Sequence, residues 1–199
     1  VFADRTMRGI LAYVGSRGFY RWGFNSFFPV FAVGLAALTR TQVGFILSGY
    51  MLIAGVLQYP MGRLADRYSP YRAHFVVLGG TLAALSMLLV TTVRSFVALL
   101  VLAACMGGFS SISRAPVIAI RTDRGRVHGM GAVTGSFTMS MSAGQIVGPL
   151  VFGIIVDAVS IQAAFVVGGL VGLVGTAVAF AYLREGPVED AAQGVAADD

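Results

Sequence analysis

Charged residues are scarce in this chain of 199 residues, where they make up 12% of the sequence. Soluble domains carry about 25%, so the chain has about half of the charge that a water-exposed surface needs. This scarcity excludes an ordinary soluble enzyme, a disordered chain and a coiled coil. Cysteine occurs once, at Cys105, which excludes a disulfide-rich scaffold.

Histidine is nearly as rare, since only His74 and His128 occur, and neither has metal-like spacing to another ligand. The sequence also contains no nucleophile–base cluster and no phosphate-binding loop. We therefore predict a protein that is not an enzyme and has no catalytic residue, no metal and no cofactor.

Lysine is absent, and all fourteen basic residues are arginine. A net charge of +5 also occurs in nucleic-acid-binding proteins, but the distribution of the charges argues against that function. Five of the nine acidic residues lie in the last fifteen positions, which leaves residues 1–184 with fourteen positive and four negative charges. We predict no nucleic-acid partner, because this excess fits a membrane protein with basic loops on one side.

Long apolar runs are abundant, with 57% hydrophobic residues and a mean hydropathy of +0.82. Because unpaired backbone groups are costly in lipid, runs that can cross about 30 Å of hydrocarbon should be helices. Six runs are long enough: Val14–Leu38, Val43–Met61, Phe75–Thr92, Phe96–Ile118, Gly131–Val156 and Ala163–Leu183. We predict an all-α integral membrane protein with six transmembrane helices in residues 1–184 and an acidic, disordered cytoplasmic tail at 185–199.

The arginines indicate the orientation in the membrane. The connections that follow the first and third helices carry only Arg40 and Arg94. The chain start, the connections after the second and fourth helices and the end of the sixth carry the rest: Arg5, Arg8, Arg63, Arg67, Arg72, Arg121, Arg124, Arg126 and Arg184. We predict a multi-pass protein of the plasma membrane with both termini in the cytoplasm.

An internal repeat supports this topology. Four residue pairs recur at an offset of 91 positions: Gly44 and Gly135, Gly62 and Gly153, Asp66 and Asp157, and Ser69 and Ser160. Each copy holds three helices, and an odd number of helices places the second copy inverted in the membrane. We therefore expect two inverted three-helix repeats.

The connection from Gly62 to Arg72 resembles the signature between the second and third helices in each half of the major facilitator superfamily. Gly62, Asp66 and Arg67 match that signature. Ser69 replaces its second glycine, and of the two cations that end the signature only Arg72 is present. Asp66 can pair with Arg67 or Arg72, or cap the next helix. Pairs near a surface are each worth about 0–1 kcal/mol, which suits a gating loop that must open.

The fifth helix carries a second match. Gly135, Gly144, Gly148 and Pro149 resemble the Gly-Pro helix of this family, which is typical of antiporters in the first half, although Phe152 stands where a glycine is usual. Gly144 and Gly148 form a small-xxx-small pair that lets another helix approach closely, and Pro149 removes a backbone donor. We expect these four residues at helix interfaces. For both motifs, a purely structural role in tight packing is the alternative.

The resemblance implies one six-helix half of a twelve-helix transporter, whose partner is the missing six-helix half. The chain begins with Val1, so we expect a piece of a longer protein. The fourth helix lacks the early arginine that is common in first halves, which favours the C-terminal half, while the Gly-Pro helix favours the other.

Polar residues inside the membrane are candidates for substrate binding. Arg17, Arg21 and Asn25 are spaced four apart and share a face of the first helix, and Arg114 lies shortly before Pro116 in the fourth. In the family, the first and fourth helices of each half line the central cavity. The alternative, strongest for Arg17 and Arg114, is that the side chains extend to the lipid headgroups.

The function that follows is secondary transport of a small solute through the lipid bilayer by alternating access. The Gly-Pro helix gives a mild preference for efflux. The alternative is a self-contained six-helix membrane protein that acts as a homo-oligomeric pore or as a non-transporting partner subunit.

Overall fold

The computed structural model describes residues 4–68 and 71–184. Over these residues it has six helices: α1 (Arg5–Gly34), α2 (Arg40–Arg67), α3 (Arg72–Val90), α4 (Phe96–His128), α5 (Met130–Ala158) and α6 (Ile161–Arg184). Each helix corresponds to one of the six predicted segments, so the all-α prediction is confirmed. The predicted tail at 185–199 and the motif position Ser69 lie outside the described residues.

Five of the six helices in the described part of the chain, α2 to α6, are long and apolar enough to span a membrane. This confirms the class of a membrane-spanning helical protein. Helix α1 has 30 residues but is less apolar, because it carries four arginines. Two of them, Arg17 and Arg21, lie on either side of its midpoint.

The helix boundaries differ from the predicted ones at several places. Helix α1 begins at Arg5 rather than Val14, because Asp4 caps it by accepting a hydrogen bond from the Met7 amide at 3.3 Å. The segment 121–128, predicted as a loop, is the end of α4, and α5 follows after Gly129 alone. The φ of 89° at Gly129 is one that residues with a Cβ rarely adopt.

The predicted gating loop is also mostly helical, because α2 continues through Gly62, Asp66 and Arg67, and Arg72 begins α3. Helices of 28 and 33 residues, α2 and α4, have lengths of about 42 and 50 Å at a rise of about 1.5 Å per residue. Both exceed the hydrocarbon thickness of about 30 Å. Their polar ends therefore extend beyond the apolar region while keeping helical hydrogen bonds.

Helix α1 lies at the centre of one side of the bundle, packed against α5 and α6, while α4 packs against α2 and α3. Helices α3 and α6 join the two groups. An aromatic core packs the second half of α1 against α5 and α6: Phe165 meets Phe24, Phe31 and Phe152 edge to face, at centroid distances of 6.0, 5.5 and 6.0 Å. Such pairs contribute about 0.5–1.5 kcal/mol each beyond the buried area.

Candidate functional site

A cavity of about 260 Å³ lies among α1, α4 and α5, away from the aromatic core. We call it the arginine cavity, because four of its lining residues are Arg17, Arg21, Arg114 and Arg121. The first three were predicted as substrate-binding residues, and the structure brings them together from two helices. Asn25, the fourth predicted residue, lies one turn beyond Arg21 on α1 and is not among the lining residues of the cavity.

The spacing along each helix accounts for this convergence. Arg17 and Arg21 are one turn apart on α1, and Arg114 and Arg121 are two turns apart on α4, so each pair shares a helix face. A guanidinium nitrogen of Arg17 donates to the Ser110 carbonyl of α4 at 3.3 Å, which ties the two faces together. Arg17 thus contacts protein near the midpoint of α1 rather than reaching for a helix end.

The arginine cavity is positively charged and incompletely hydrogen-bonded. Arg17 and Arg21 are close enough to Arg114 for repulsion between like charges. The Nε atoms of Arg21 and Arg121 and the Oδ1 atom of Asn25 are shielded from solvent without a hydrogen-bond partner. Among the described residues, no carboxylate lines this cavity. Guanidinium groups in such a place are costly unless an anion accompanies them.

Sequence reasoning missed Arg121 as a cavity residue. Arg121 lies beyond the end of the apolar run of α4, among the arginines that were used to predict the orientation. Because α4 continues through this residue, Arg121 lines the same cavity as Arg114. Gln145 of α5 adds a polar group to the lining, and Trp22 of α1 and Phe137 of α5 add aromatic rings.

A second cavity of about 430 Å³ lies between α2 and α4 and holds the predicted gating residues Gly62, Asp66 and Arg72. Arg72 donates to Asp123 of α4 at 2.6 Å, whereas its distance to Asp66 is 3.7 Å. The predicted partner is therefore the weaker one, since 76% of the Asp66 side chain is exposed. Asp123 is 51 positions from Arg72, and no local pattern links the two residues. Arg67 is exposed at the end of α2.

The same end of the bundle carries a cluster between α1 and α4 that the sequence did not predict. Arg124 contacts the Asp4 carboxylate at 3.2 Å and donates to the Thr6 hydroxyl at 3.2 Å. His128 lies 3.9 Å from the same carboxylate. These contacts fasten the beginning of α1 to the end of α4, two of the helices that line the arginine cavity.

The Gly-Pro helix places two of its four predicted interface residues against α1. Gly144 and Gly148 are buried, and a Cβ at either position would meet the backbone of Gly15 or Phe19. Next to this crossing, Ser140 donates to the Leu11 carbonyl at 2.6 Å. A Cβ added at Gly135 would meet no atom of another described helix within 4 Å. Pro149 is half-buried within α5, which continues past it.

The comparison with protein families matches this chain to the Major Facilitator Superfamily over residues 11–198. The match covers nearly the whole chain, and the chain belongs to this family. The coarse predictions of a multi-pass membrane protein and of a transporter of the major facilitator kind are thereby confirmed. Members of the family are generally not enzymes, and no catalytic family is indicated.

A curated relative is an uncharacterized MFS-type transporter of Methanocaldococcus jannaschii, which is 25% identical over 139 residues. The match includes 70% of this chain but 35% of the relative. The chain thus spans about a third of the length of the relative that it matches.

Proposed function

We propose that this chain is one six-helix half of a secondary transporter, and that it moves a small solute by alternating access with its substrate in the arginine cavity. The observation that carries the proposal is the position of four arginines, which lie in a cavity of an otherwise apolar bundle. Charge inside a membrane-spanning bundle is costly and marks a substrate or ion pathway by default. The substrate-binding residues are Arg17, Arg21 and Arg114, with Asn25 one turn beyond Arg21 on α1.

The uncovered faces of α2 and α5 support a missing half. Only 17% of the most apolar stretch of α2 and 11% of that of α5 is buried, compared with 44% for α3, α4 and α6. At several glycines on these helices, an added Cβ would have no described neighbour from another helix within 4 Å: Gly44, Gly55, Gly62, Gly131 and Gly135. Glycine permits close helix packing in membranes. The missing half is therefore the proposed partner of these faces, and we assign this chain to the C-terminal half.

The helix contacts support the inverted repeat. In an inverted repeat, α4, α5 and α6 correspond to α1, α2 and α3, so each helix contact should have a counterpart. The contact of α1 with α5 has its counterpart in the contact of α4 with α2. The contact of α1 with α6 likewise has its counterpart in the contact of α4 with α3. In this arrangement, the beginning of α1 and the end of α4 lie on the cytoplasmic side of the plasma membrane. Gly62, Asp66, Arg67 and Arg72 then act with Asp123 in gating, and the Gly-Pro helix favours efflux or antiport.

Reconstitution tests the proposed function. The full-length protein, obtained from the coding sequence on both sides of this chain, should show saturable, gradient-driven solute transport in proteoliposomes. We expect Arg21→Ala to reduce the transport rate at least tenfold while membrane insertion is preserved, because a charged group in contact with substrate is lost. Arg94→Ala, in the connection between α3 and α4, is the matched control and should transport normally.

Two outcomes would contradict the proposal. Coding sequence that ends at the six helices, together with non-saturable flux, would establish the pore that is the alternative function. Transport at the wild-type rate by Arg21→Ala would show that this arginine only packs or extends to the headgroups.

Cysteine labelling tests the proposed topology. In a Cys105→Ser background, Ser95→Cys should react with a membrane-impermeant maleimide in intact cells, and Tyr68→Cys only after permeabilisation. Both positions are exposed in the structure, and they lie at opposite ends of α3. Reversed labelling would overturn the cytoplasmic placement of the arginine-rich ends and, with it, the argument for inverted repeats.

A further inference from the structure

We infer that the arginine cavity binds an organic anion, whose carboxylate or phosphate oxygens contact the arginines and whose apolar body lies against the rest of the lining. The structure also adds Arg121 and Gln145 to the binding residues. This inference rests on the proposed function and names the substrate class of the same site. It follows from the charge, the unused hydrogen-bond donors and the composition of the lining.

The charge of the cavity calls for an anion. Four guanidinium groups line one space of about 260 Å³, and no carboxylate among the described residues lines it with them. By contrast, the nearby Arg72 and Arg124 each have a carboxylate within 3.2 Å, on Asp123 and Asp4. Arg72 and Arg124 are thus paired with acids, whereas the cavity arginines have no carboxylate beside them in the described lining.

The unused donors point to oxygen atoms as the missing partners. The Nε atoms of Arg21 and Arg121 are shielded from solvent but donate to nothing in the described structure. A guanidinium group binds carboxylate or phosphate through two parallel hydrogen bonds, which match its planar fork. Arg21 lies on α1 and Arg121 on α4, so the two unused donors come from different helices. Gln145, on α5, offers an amide donor from the third side.

The remaining lining determines what else the anion carries. Apart from Gly18, the other lining residues are apolar or aromatic: Val14, Trp22, Val117, Ile118, Phe137 and Met141. Such a surface stabilises an apolar or aromatic body by burying it. A bare inorganic anion would leave this surface without a partner. The chemistry of the whole lining therefore fits an amphipathic organic acid.

Trp22 gives a direct readout of binding, because it is the single tryptophan of the chain and lines the cavity. We expect benzoate and phenyl phosphate, added to the purified full-length protein in a non-ionic detergent, to change its fluorescence saturably, and Trp22→Phe should remove this change. Benzyl alcohol and benzylamine have the same ring without a negative charge and should produce no saturable change. Inorganic phosphate should bind more weakly than phenyl phosphate, since it lacks the ring.

Matched variants locate the anion. Arg21→Gln and Arg121→Gln should each raise the Kd for benzoate about tenfold, which corresponds to the loss of one charge-assisted contact. Arg121→Lys should bind with intermediate affinity, because it keeps the charge but loses the planar fork. Arg94→Gln, which changes the same charge outside the cavity, should leave the Kd unchanged. Circular dichroism of every variant confirms that the helices are intact.

A lipid headgroup is the second source of the same phosphate chemistry, and vesicles distinguish it from a soluble anion. At a salt concentration that screens the negative surface of phosphatidylglycerol, we expect benzoate to bind equally in phosphatidylcholine vesicles and in vesicles that contain phosphatidylglycerol. Loss of benzoate binding in phosphatidylglycerol would assign the cavity to a lipid headgroup and overturn the inference. Equal binding of benzyl alcohol, or an unchanged Kd in Arg21→Gln and Arg121→Gln, would also overturn it.

Failure of this inference differs from failure of the proposed function. Saturable transport by the full-length protein, without benzoate binding in the cavity, would refute the anion and leave the transporter. Benzoate binding without transport of any solute would refute the transporter and leave the anion site.

Discussion

Replacing Gly148 with valine is expected to force α1 and α5 apart and to destabilise the folded protein. A Cβ at this position would lie 2.9 Å from the Cα of Phe19, and its nearest contact would be the Phe19 carbonyl oxygen. These are backbone atoms of a helix, so they cannot rotate away as the end of a side chain can. Overpacking typically costs about 1–3 kcal/mol, and among the described helices α1 packs most extensively against α5.

Thermal unfolding in detergent, followed by circular dichroism, measures this effect. Gly148→Val should lower the Tm by several degrees or more and reduce the yield of monodisperse protein in gel filtration. The matched control is Gly135→Val on the same helix, where an added Cβ meets no atom of the described chain within 4 Å. Equal Tm values for the two variants would show that the crossing of α1 and α5 tolerates larger residues.

The second prediction concerns the pair of Arg72 and Asp123, which we expect to be the stronger part of the gating contact. Asp123→Asn in the full-length protein should express normally, transport severalfold more slowly and open its cytoplasmic side more often. The reason is the distance: Arg72 lies 2.6 Å from Asp123 but 3.7 Å from Asp66. A shift of about 1.4 kcal/mol in a conformational equilibrium changes the ratio of its two states tenfold. An ion pair worth about 1 kcal/mol is therefore enough to change that ratio severalfold.

A series of three variants distinguishes a gating contact from a role in folding. Maleimide labelling of Ala119→Cys, in a Cys105→Ser background, reports how often the cavity between α2 and α4 is open. The effect should decrease from Asp123→Asn to Asp66→Asn and be smallest in Asp157→Asn, an exposed carboxylate at the far end of α5. Equal losses of transport in all three, with unchanged labelling, would mean that these carboxylates serve folding.

The site could be predicted from the sequence in part, and the helix periodicity explains which part. Arg17 and Arg21 were identified because their spacing places them on one helix face, a property of the segment alone. Arg121 was missed because the apolar run ends before it, so that its helix was taken to end there. Asp123 was missed as the partner of Arg72 because the contact joins positions 51 apart in the chain.

The sequence by itself determined the class of the protein and the number and order of its helices. In lipid, each segment must satisfy its backbone groups internally, so an apolar run of sufficient length becomes a helix whatever its neighbours are. Only the tertiary structure decided which helix faces meet and that four arginines share one cavity. It also decided that Gly144 and Gly148 touch α1, while a Cβ added at Gly135 would meet no other described helix within 4 Å. Lipid is as apolar as the helices, so pairing depends on the fit of small residues and on individual polar contacts between distant segments.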